Sequence, residues 1–174
     1  VISKVAGQLK IIHPKGKQGF VSEIKSMISE LKQYGISVDE LKRIIDEKSL
    51  SDRLKQKLTD LLVVYEAFEE YKKDKFVTVE DKPEELLKVI NRSSFFDNAV
   101  VAFDGFTGFT PVQYRIIENI MMKADHVINT VTLPADSRFN VISGEDDLFF
   151  MSKNMMYRMG RIADNLGIKT VFSP

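Results

Sequence analysis

The sequence predicts an α/β protein, with a helix-rich insertion followed by a partial parallel sheet with flanking helices. Up to about residue 95, apolar residues recur at every third or fourth position, which is the spacing of amphipathic helices. Beyond that point, continuous apolar runs alternate with helix-like segments, and this alternation is typical of parallel strands with covered faces. We therefore divide the chain into a mainly helical subdomain, residues 1–95, and a partial parallel α/β core, residues 96–174.

The helical subdomain carries recognisable helix boundaries. Three helices are predicted, over residues 20–34, 37–45 and 51–73. Gly35 stands where the C-cap of the first helix is expected. Ser37 and Glu40 form a capping-box pattern at the start of the second helix. Ser51 can cap the third helix, which is the longest of the three.

The character of the sequence changes after this third helix. Residues 76–79 are short and β-like, and Pro83 fits the first turn of a further helix. The predicted order is then strand 99–103, helix 111–123, strand 127–133, a helix ending near residue 166, and strand 168–172. Right-handed crossovers are expected between such parallel strands.

Composition excludes several classes of protein. The chain has 174 residues with 25 Lys+Arg against 25 Asp+Glu, so it has no strong overall field for polyanions, although a local basic face stays possible. It has no cysteine, which excludes disulfides, thiolate zinc sites, iron-sulfur clusters and a cysteine nucleophile within it. We also assign no catalytic residue and no metal-ligand pattern to it.

Nothing in the sequence predicts a membrane or secretory protein. No apolar run approaches the roughly 18 residues that a membrane span requires, and the first residues do not resemble a signal peptide. We therefore expect a cytoplasmic protein without a membrane partner. The chain opens on Val1 without a Met and closes as an apolar run begins, and we interpret it as a piece of a longer protein.

The candidate site is the segment that follows the strand 99–103. In open parallel sheets, ligands bind beyond the carboxyl ends of the strands. Asp104 stands there, where P-loop NTPases place the carboxylate that holds Mg²⁺. Asp-Gly pairs also make turns, so a purely structural role for Asp104 and Gly105 is an open alternative.

Two aromatic and two hydroxyl side chains lie in the same segment. Phe106 and Phe109 could stack on the bases of DNA, a contact worth about 1–3 kcal/mol for each base, or both rings could fold back into the core. Thr107 and Thr110 could donate hydrogen bonds to a phosphate or a base. Thr110 with Gln113 also forms a capping-box pattern, which explains Thr110 without any ligand.

The last predicted helix has two features with open interpretations. Its methionines form an adaptable apolar face that suits core packing, with a subunit interface as the alternative. Arg158 and Arg161 lie three residues apart and could bind phosphate, although surface placement explains them equally well.

The segment after Asp104 resembles the second motif of superfamily I helicases of the UvrD type, Asp-Glu-x-Gln-Asp-(Thr/Val)-(Asn/Ser)-x-x-Gln. Asp104 matches the first Asp, whereas Gly105 replaces the catalytic Glu, Thr107 replaces the Gln and Gly108 replaces the second Asp. Residues 129–134 lack the Gly-Asp-x-x-Gln-Ser motif that such helicases place after the next strand, and no Gly-x-x-x-x-Gly-Lys-(Ser/Thr) phosphate loop occurs in the chain.

The Asp-Gly-Phe-Thr-Gly-Phe-Thr-Pro version at 104–111 resembles the B subunit of the bacterial ATP-dependent helicase/nuclease AddAB, or RexAB. The similarity extends to residues 19–36, 64–69 and 146–149. It implies an N-terminal, P-loop helicase-like region with an inactivated motor, which binds the DNA strand carrying the recombination hotspot. It also implies an A subunit as partner, ATP and Mg²⁺ in the parent protein, and a nuclease domain with an iron-sulfur cluster outside these residues.

Three hypotheses follow. The first is a catalytically inert part of this DNA-repair and recombination enzyme, acting as a scaffold and strand guide through Phe106, Thr107, Phe109 and Thr110. In this hypothesis the parent complex, and not the chain itself, is the enzyme. The second retains ATP binding, and possible hydrolysis in the parent, with Asp104 as the Mg²⁺ ligand beside Gly105 and Thr107. The third is a helical protein-interaction module unrelated to DNA.

Overall fold

The computed structural model describes residues 1–10, 19–47, 49–134, 137 and 144–173. The helices and strands in these residues are α1 (Ile2–Val5), α2 (Phe20–Gln33), α3 (Val38–Asp46), α4 (Asp52–Lys72), α5 (Lys82–Val89), β1 (Val100–Asp104), α6 (Pro111–Met121), β2 (His126–Thr130) and α7 (Phe150–Asn165). The chain separates into two compact units, Val1–Lys82 and Pro83–Pro174. Residues 83–95, which we assigned to the helical subdomain, thus fall in the second compact unit.

The three long helices predicted in the first unit are confirmed as α2, α3 and α4. After α2, Gly35 takes a left-handed φ of 73°, and the Ile36 N–H donates to the Leu31 carbonyl at 2.8 Å, which closes the helix as expected for glycine. The Ser37 and Ser51 hydroxyls cap α3 and α4 as predicted.

The core of the first unit lies between these helices. Leu41 and Val64 are each only 1% exposed, and they pack with the apolar faces of α2 and α4. The Tyr65 hydroxyl donates to the Ile36 carbonyl at 3.2 Å, so the ring packs in the core while its polar end is satisfied.

A ring of four charged side chains completes the first unit. Lys32 contacts both Asp81 and Glu69, and Lys72 contacts the same two carboxylates, with Lys72 Nζ 2.6 Å from Asp81 Oδ1. Asp81 also accepts bonds of 2.8 Å from the Thr78 N–H and hydroxyl. Burial alone would raise the pKa of Asp81, but hydrogen bonds from Lys32, Lys72 and Thr78 outweigh burial and lower it. Each buried charge in this ring is therefore balanced.

The second unit is built around two parallel strands. β1 pairs with β2 in register from Val100 opposite His126 to Asp104 opposite Thr130, and α6 connects the two strands. Met155 and Met159 of α7 are buried against α6, which confirms core packing for these two methionines. Met151 is 64% exposed.

Three predictions about strands are wrong. Residues 168–172 form no strand, because the sheet of the described residues consists of β1 and β2 and offers this run no partner. The Ile168 N–H instead closes α7 by donating to the Ala163 carbonyl at 2.9 Å. Residues 76–78 have no regular structure and Val79–Asp81 is a 3₁₀ turn, since its hydrogen bonds are made locally through Asp81. The sheet is covered on one face only within the described residues: Val100 and Ile128 on the other face are 63% and 48% exposed.

The described residues contain no helix that is both long enough and apolar enough to cross a membrane.

Candidate functional site

The candidate site begins where β1 ends. Asp104 is exposed at the carboxyl end of the strand, and the Thr130 hydroxyl donates to its Oδ1. The Gly105 N–H donates to the Thr130 carbonyl at 3.3 Å, which continues the ladder by one bond. The predicted position of Asp104 at the sheet edge is therefore confirmed, and its carboxylate is tied to the neighbouring strand.

Gly105 turns the chain at this point. Its φ is +71°, and a Cβ built on it would have no atom within 4 Å. Backbone conformation, not lack of space, therefore favours glycine here, because a side chain in the left-handed region costs about 1–2 kcal/mol. A Glu at this position would therefore need a different backbone turn.

Beyond Gly105, aromatic rings form a row that we call the aromatic row: Phe106, Phe109, Phe103 and Tyr114. The Phe106 and Phe109 ring centroids are 5.0 Å apart and the planes are inclined by 31°. Phe109 contacts Phe103 at 5.5 Å and Tyr114 at 5.7 Å, both edge to face. Each ring is thus held by at least one other.

Phe106 and Phe109, which the sequence analysis considered together, differ in their exposure to solvent. Phe109 is half-buried and packs against the cluster that contains Tyr114, Ile117 and Met155. Phe106 is 45% exposed and rests on Phe109. Phe109 therefore has the core-packed role, and Phe106 is the ring with a surface free for contacts.

Phe103 and Tyr114 are site residues that sequence reasoning missed. Alternation along β1 could have placed Phe103 on the covered face of the strand. Tyr114 follows Thr110 by four residues, one turn into α6. Helical spacing could therefore have predicted that Tyr114 lies beneath the loop.

The two threonines have different environments. The Thr110 hydroxyl accepts from the Gln113 N–H at 3.3 Å, and Gln113 Oε1 accepts from the Thr110 N–H at 2.8 Å. The predicted capping box is therefore confirmed, and Thr110 serves the start of α6. Thr107 is exposed in the loop.

A cation lies over the last ring of the row. The Arg158 guanidinium carbon is 5.6 Å from the Tyr114 ring centroid, within cation–π range. Burial raises the pKa of the Tyr114 hydroxyl, and this effect exceeds the opposing influences of the Arg158 charge and a hydrogen bond with the Phe109 backbone. Tyr114 is thus neutral at physiological pH and acts as a support for its neighbours.

Comparison with known proteins identifies the family. The family model described as ADDB, N-terminal matches residues 1–173. The chain belongs to this family. The resemblance inferred from residues 104–111 is therefore confirmed over nearly the whole chain.

Three curated relatives share one name, which is that of the B subunit of an ATP-dependent helicase/deoxyribonuclease. The relative from Lachnoclostridium phytofermentans is 41% identical over 147 residues, 84% of this chain and 13% of the relative. That from Clostridioides difficile is 34% identical over 169 residues, 97% of this chain and 14% of the relative. That from Alkaliphilus oremlandii is 31% identical over 153 residues, 88% of this chain and 13% of the relative. The chain thus spans 13 to 14% of the length of these relatives.

Family membership gives the site a context. Asp104 is the exposed last residue of β1, and Gly105, Phe106 and Thr107 lie in the exposed loop that follows it, whereas Phe109 and Thr110 are partly withdrawn from solvent. The described residues contain no group of three or more His, Asp or Glu side chains that could hold a metal ion. The site thus presents the exposed ring of Phe106 and the carboxylate of Asp104 to a binding partner.

Proposed function

We propose that the chain is part of the B subunit of an ATP-dependent DNA helicase/exonuclease for double-strand break repair by recombination. Within that larger protein it acts as a DNA-binding scaffold and strand guide with a degenerate motor. The family match and the name of the curated relatives support this role. In the proposal an A subunit is the protein partner, and ATP turnover belongs to the complex. An iron-sulfur cluster would be held elsewhere, because this chain has no cysteine.

The degenerate motor is supported by the turn at Gly105. A helicase of this class uses a Glu after the Mg²⁺-binding Asp to orient the attacking water. Gly105 has no carboxylate, and its φ of +71° disfavours any side chain. The loop therefore lacks the carboxylate that would orient the attacking water for ATP hydrolysis.

The strand-guide role is carried by one observation, the exposed ring of Phe106 on its aromatic support. A base that leaves its own stack can stack on such a ring, which needs no particular base. Phe109 and Phe103 hold the ring in place, so little side-chain entropy is lost on binding. A single strand suits this contact better than a duplex, whose bases are already stacked.

The test is fluorescence anisotropy of labelled single-stranded and duplex oligonucleotides with the 174-residue chain. Phe106→Ala should weaken single-strand binding by roughly 5- to 150-fold, the equivalent of about 1–3 kcal/mol of stacking. Phe95→Ala is the matched control, because Phe95 is 79% exposed in the same unit but contacts only Phe96 among the rings of the described residues.

Two outcomes would contradict the proposal. Absence of DNA binding at low salt would favour the third hypothesis, a helical protein-interaction module. Equal weakening by Phe106→Ala and Phe95→Ala would remove the aromatic row from the DNA site.

A second candidate function, ATP binding, rests on the exposure of Asp104 at the sheet edge. Asp104 and Thr130 are the side chains that would hold Mg²⁺ here, with phosphate oxygens and water completing the ligand shell. The full-length protein would then bind ATP in a Mg²⁺-dependent way, and Asp104→Ala would abolish this binding. Unchanged ATP affinity in the Asp104→Ala variant would exclude this role.

A further inference from the structure

The cations of the second unit fall into two groups. Arg115 pairs with Glu84 at 3.0 Å, Lys123 with Asp97 at 2.9 Å and Lys153 with Asp147 at 2.6 Å. Arg158 and Arg161 of α7 take part in no ion pair within the described part of the chain, as is also true of Arg92 and Lys169, and both arginines of α7 are exposed. The whole chain has no net charge, but two guanidinium groups without ion pairs create a local positive potential on α7.

Their spacing places both arginines on one side of α7. Residues three apart on a helix are neighbours, with Cβ atoms about 5–6 Å apart. Arginine is the cation whose planar group binds phosphate oxygens with two parallel N–H donors. Two such groups on one exposed helix face form a surface suited to a phosphodiester backbone.

Arg158 connects this surface to the aromatic row. Its guanidinium lies over Tyr114, Tyr114 contacts Phe109 at 5.7 Å, and Phe109 contacts Phe106 at 5.0 Å. A cation–π contact uses the charge of the guanidinium and leaves its N–H donors available. Arg158 is thus held in place by a ring while it keeps its capacity to bind an anion.

We infer that Arg158 and Arg161 bind the phosphate backbone of the same DNA strand whose base stacks on Phe106. This inference rests on the proposed function. Proteins that bind single strands combine a stacking ring with cations that follow the backbone, and the aromatic row joins these two elements through direct ring contacts. Arg158 and Arg161 supply affinity that depends on salt, whereas Phe106 supplies affinity that does not.

The experiment is a salt series of the anisotropy measurement with a labelled oligothymidylate. Each phosphate contact on a single strand contributes about 0.7 to the slope of log K against log salt. Arg158→Ala and Arg161→Ala should each lower this slope by about 0.7 and weaken binding about fivefold at roughly 0.1 M salt. The double variant should lose about 25-fold, with the loss shrinking as salt approaches about 1 M.

Arg115→Ala is the matched control, because it removes the same charge from an exposed position on α6 that is already paired with Glu84. Phe106→Ala should weaken binding without changing the salt slope. Arg161→Glu is a second variant, for the case in which Arg158→Ala unfolds the unit. Arg161 is exposed and has no ring or ion-pair contact in the described structure, so its substitution preserves the fold.

The outcomes separate the inference from the function on which it rests. Binding by the unmodified chain that Phe106→Ala weakens, with the arginine variants no different from Arg115→Ala in slope, overturns the phosphate role and leaves the strand guide intact. No binding by the unmodified chain overturns both. A lowered slope for the arginine variants and not for Arg115→Ala supports the inference.

Discussion

The two compact units differ in what they leave exposed. In the first unit, the cations that are withdrawn from solvent are neutralised: Lys32 and Lys72 share Asp81 and Glu69. In the second unit, an apolar sheet face and part of the Phe106 ring stay exposed, and Arg158 and Arg161 of α7 have no ion pair among the described residues. The first unit neutralises its two withdrawn lysines with its own carboxylates, whereas the second presents an exposed ring and exposed arginines at and beside its candidate site.

The largest effect should come from breaking the charge ring of the first unit. Asp81→Ala leaves Lys32 and Lys72 with a single carboxylate, and the Lys32 side chain is only 8% exposed. We expect a loss of about 3–5 kcal/mol in the free energy of unfolding, as for other buried pairs that lose one partner. Urea denaturation followed by circular dichroism measures it.

Asp39→Ala is the control for this prediction, because Asp39 pairs with Lys42 at the surface, where its side chain is 84% exposed. It should cause no measurable loss. An Asp81→Ala variant as stable as Asp39→Ala would show that the ring does not stabilise the unit.

Truncating apolar side chains should distinguish the units next. Leu41→Ala, in the core of the first unit, should cost about 2–5 kcal/mol. Ile128→Ala, on the uncovered sheet face, should cost less than about 1 kcal/mol, because the side chain is 48% exposed and loses few contacts. Comparable losses in urea denaturation would mean that the sheet face is covered in solution.

A smaller effect is expected within the second unit at two glycines. Gly105→Ala should destabilise the chain by about 1–2 kcal/mol, since φ is +71°. Gly160→Ala should instead stabilise it by roughly 0.5–1 kcal/mol, because Gly160 lies inside α7 and a Cβ there meets no atom within 4 Å. Thermal unfolding of the two variants should give shifts of opposite sign, and shifts of the same sign would contradict the assigned turn.

The smallest effect concerns pH. Because the pKa of Asp81 is lowered in the folded state, its ionised carboxylate stabilises the fold at pH values above 3.8, the ordinary pKa of Asp. This stabilisation is lost as the pH falls below 3.8. Burial lowers the pKa of Lys72, but its hydrogen bonds to Asp81 and Glu69 outweigh burial and raise the pKa above 10.5, so its contribution persists below that pH and is lost as pH rises further. Urea midpoints should fall at both extremes, and Asp81→Asn should reduce the acid slope.

Secondary structure followed closely from the sequence where local signals were strong. Gly35, Ser37 and Ser51 mark helix ends through bonds made within a few residues, so the chain nearby contains all the necessary information. The run 168–172 has the composition of a strand, but strands form only beside a partner. Its β-propensity therefore did not decide its structure.

The site shows the same division. The sequence by itself determined the capping box of Thr110, the position of Asp104 at a strand end and the family, because each depends on residue types at fixed spacing. Only the tertiary structure decided that Phe109 packs inward and Phe106 outward, that Tyr114 carries Arg158, and that Asp81 lies between two lysines. These outcomes depend on side chains brought together from distant positions, and burial or charge compensation is a property of that three-dimensional neighbourhood, not of any local pattern.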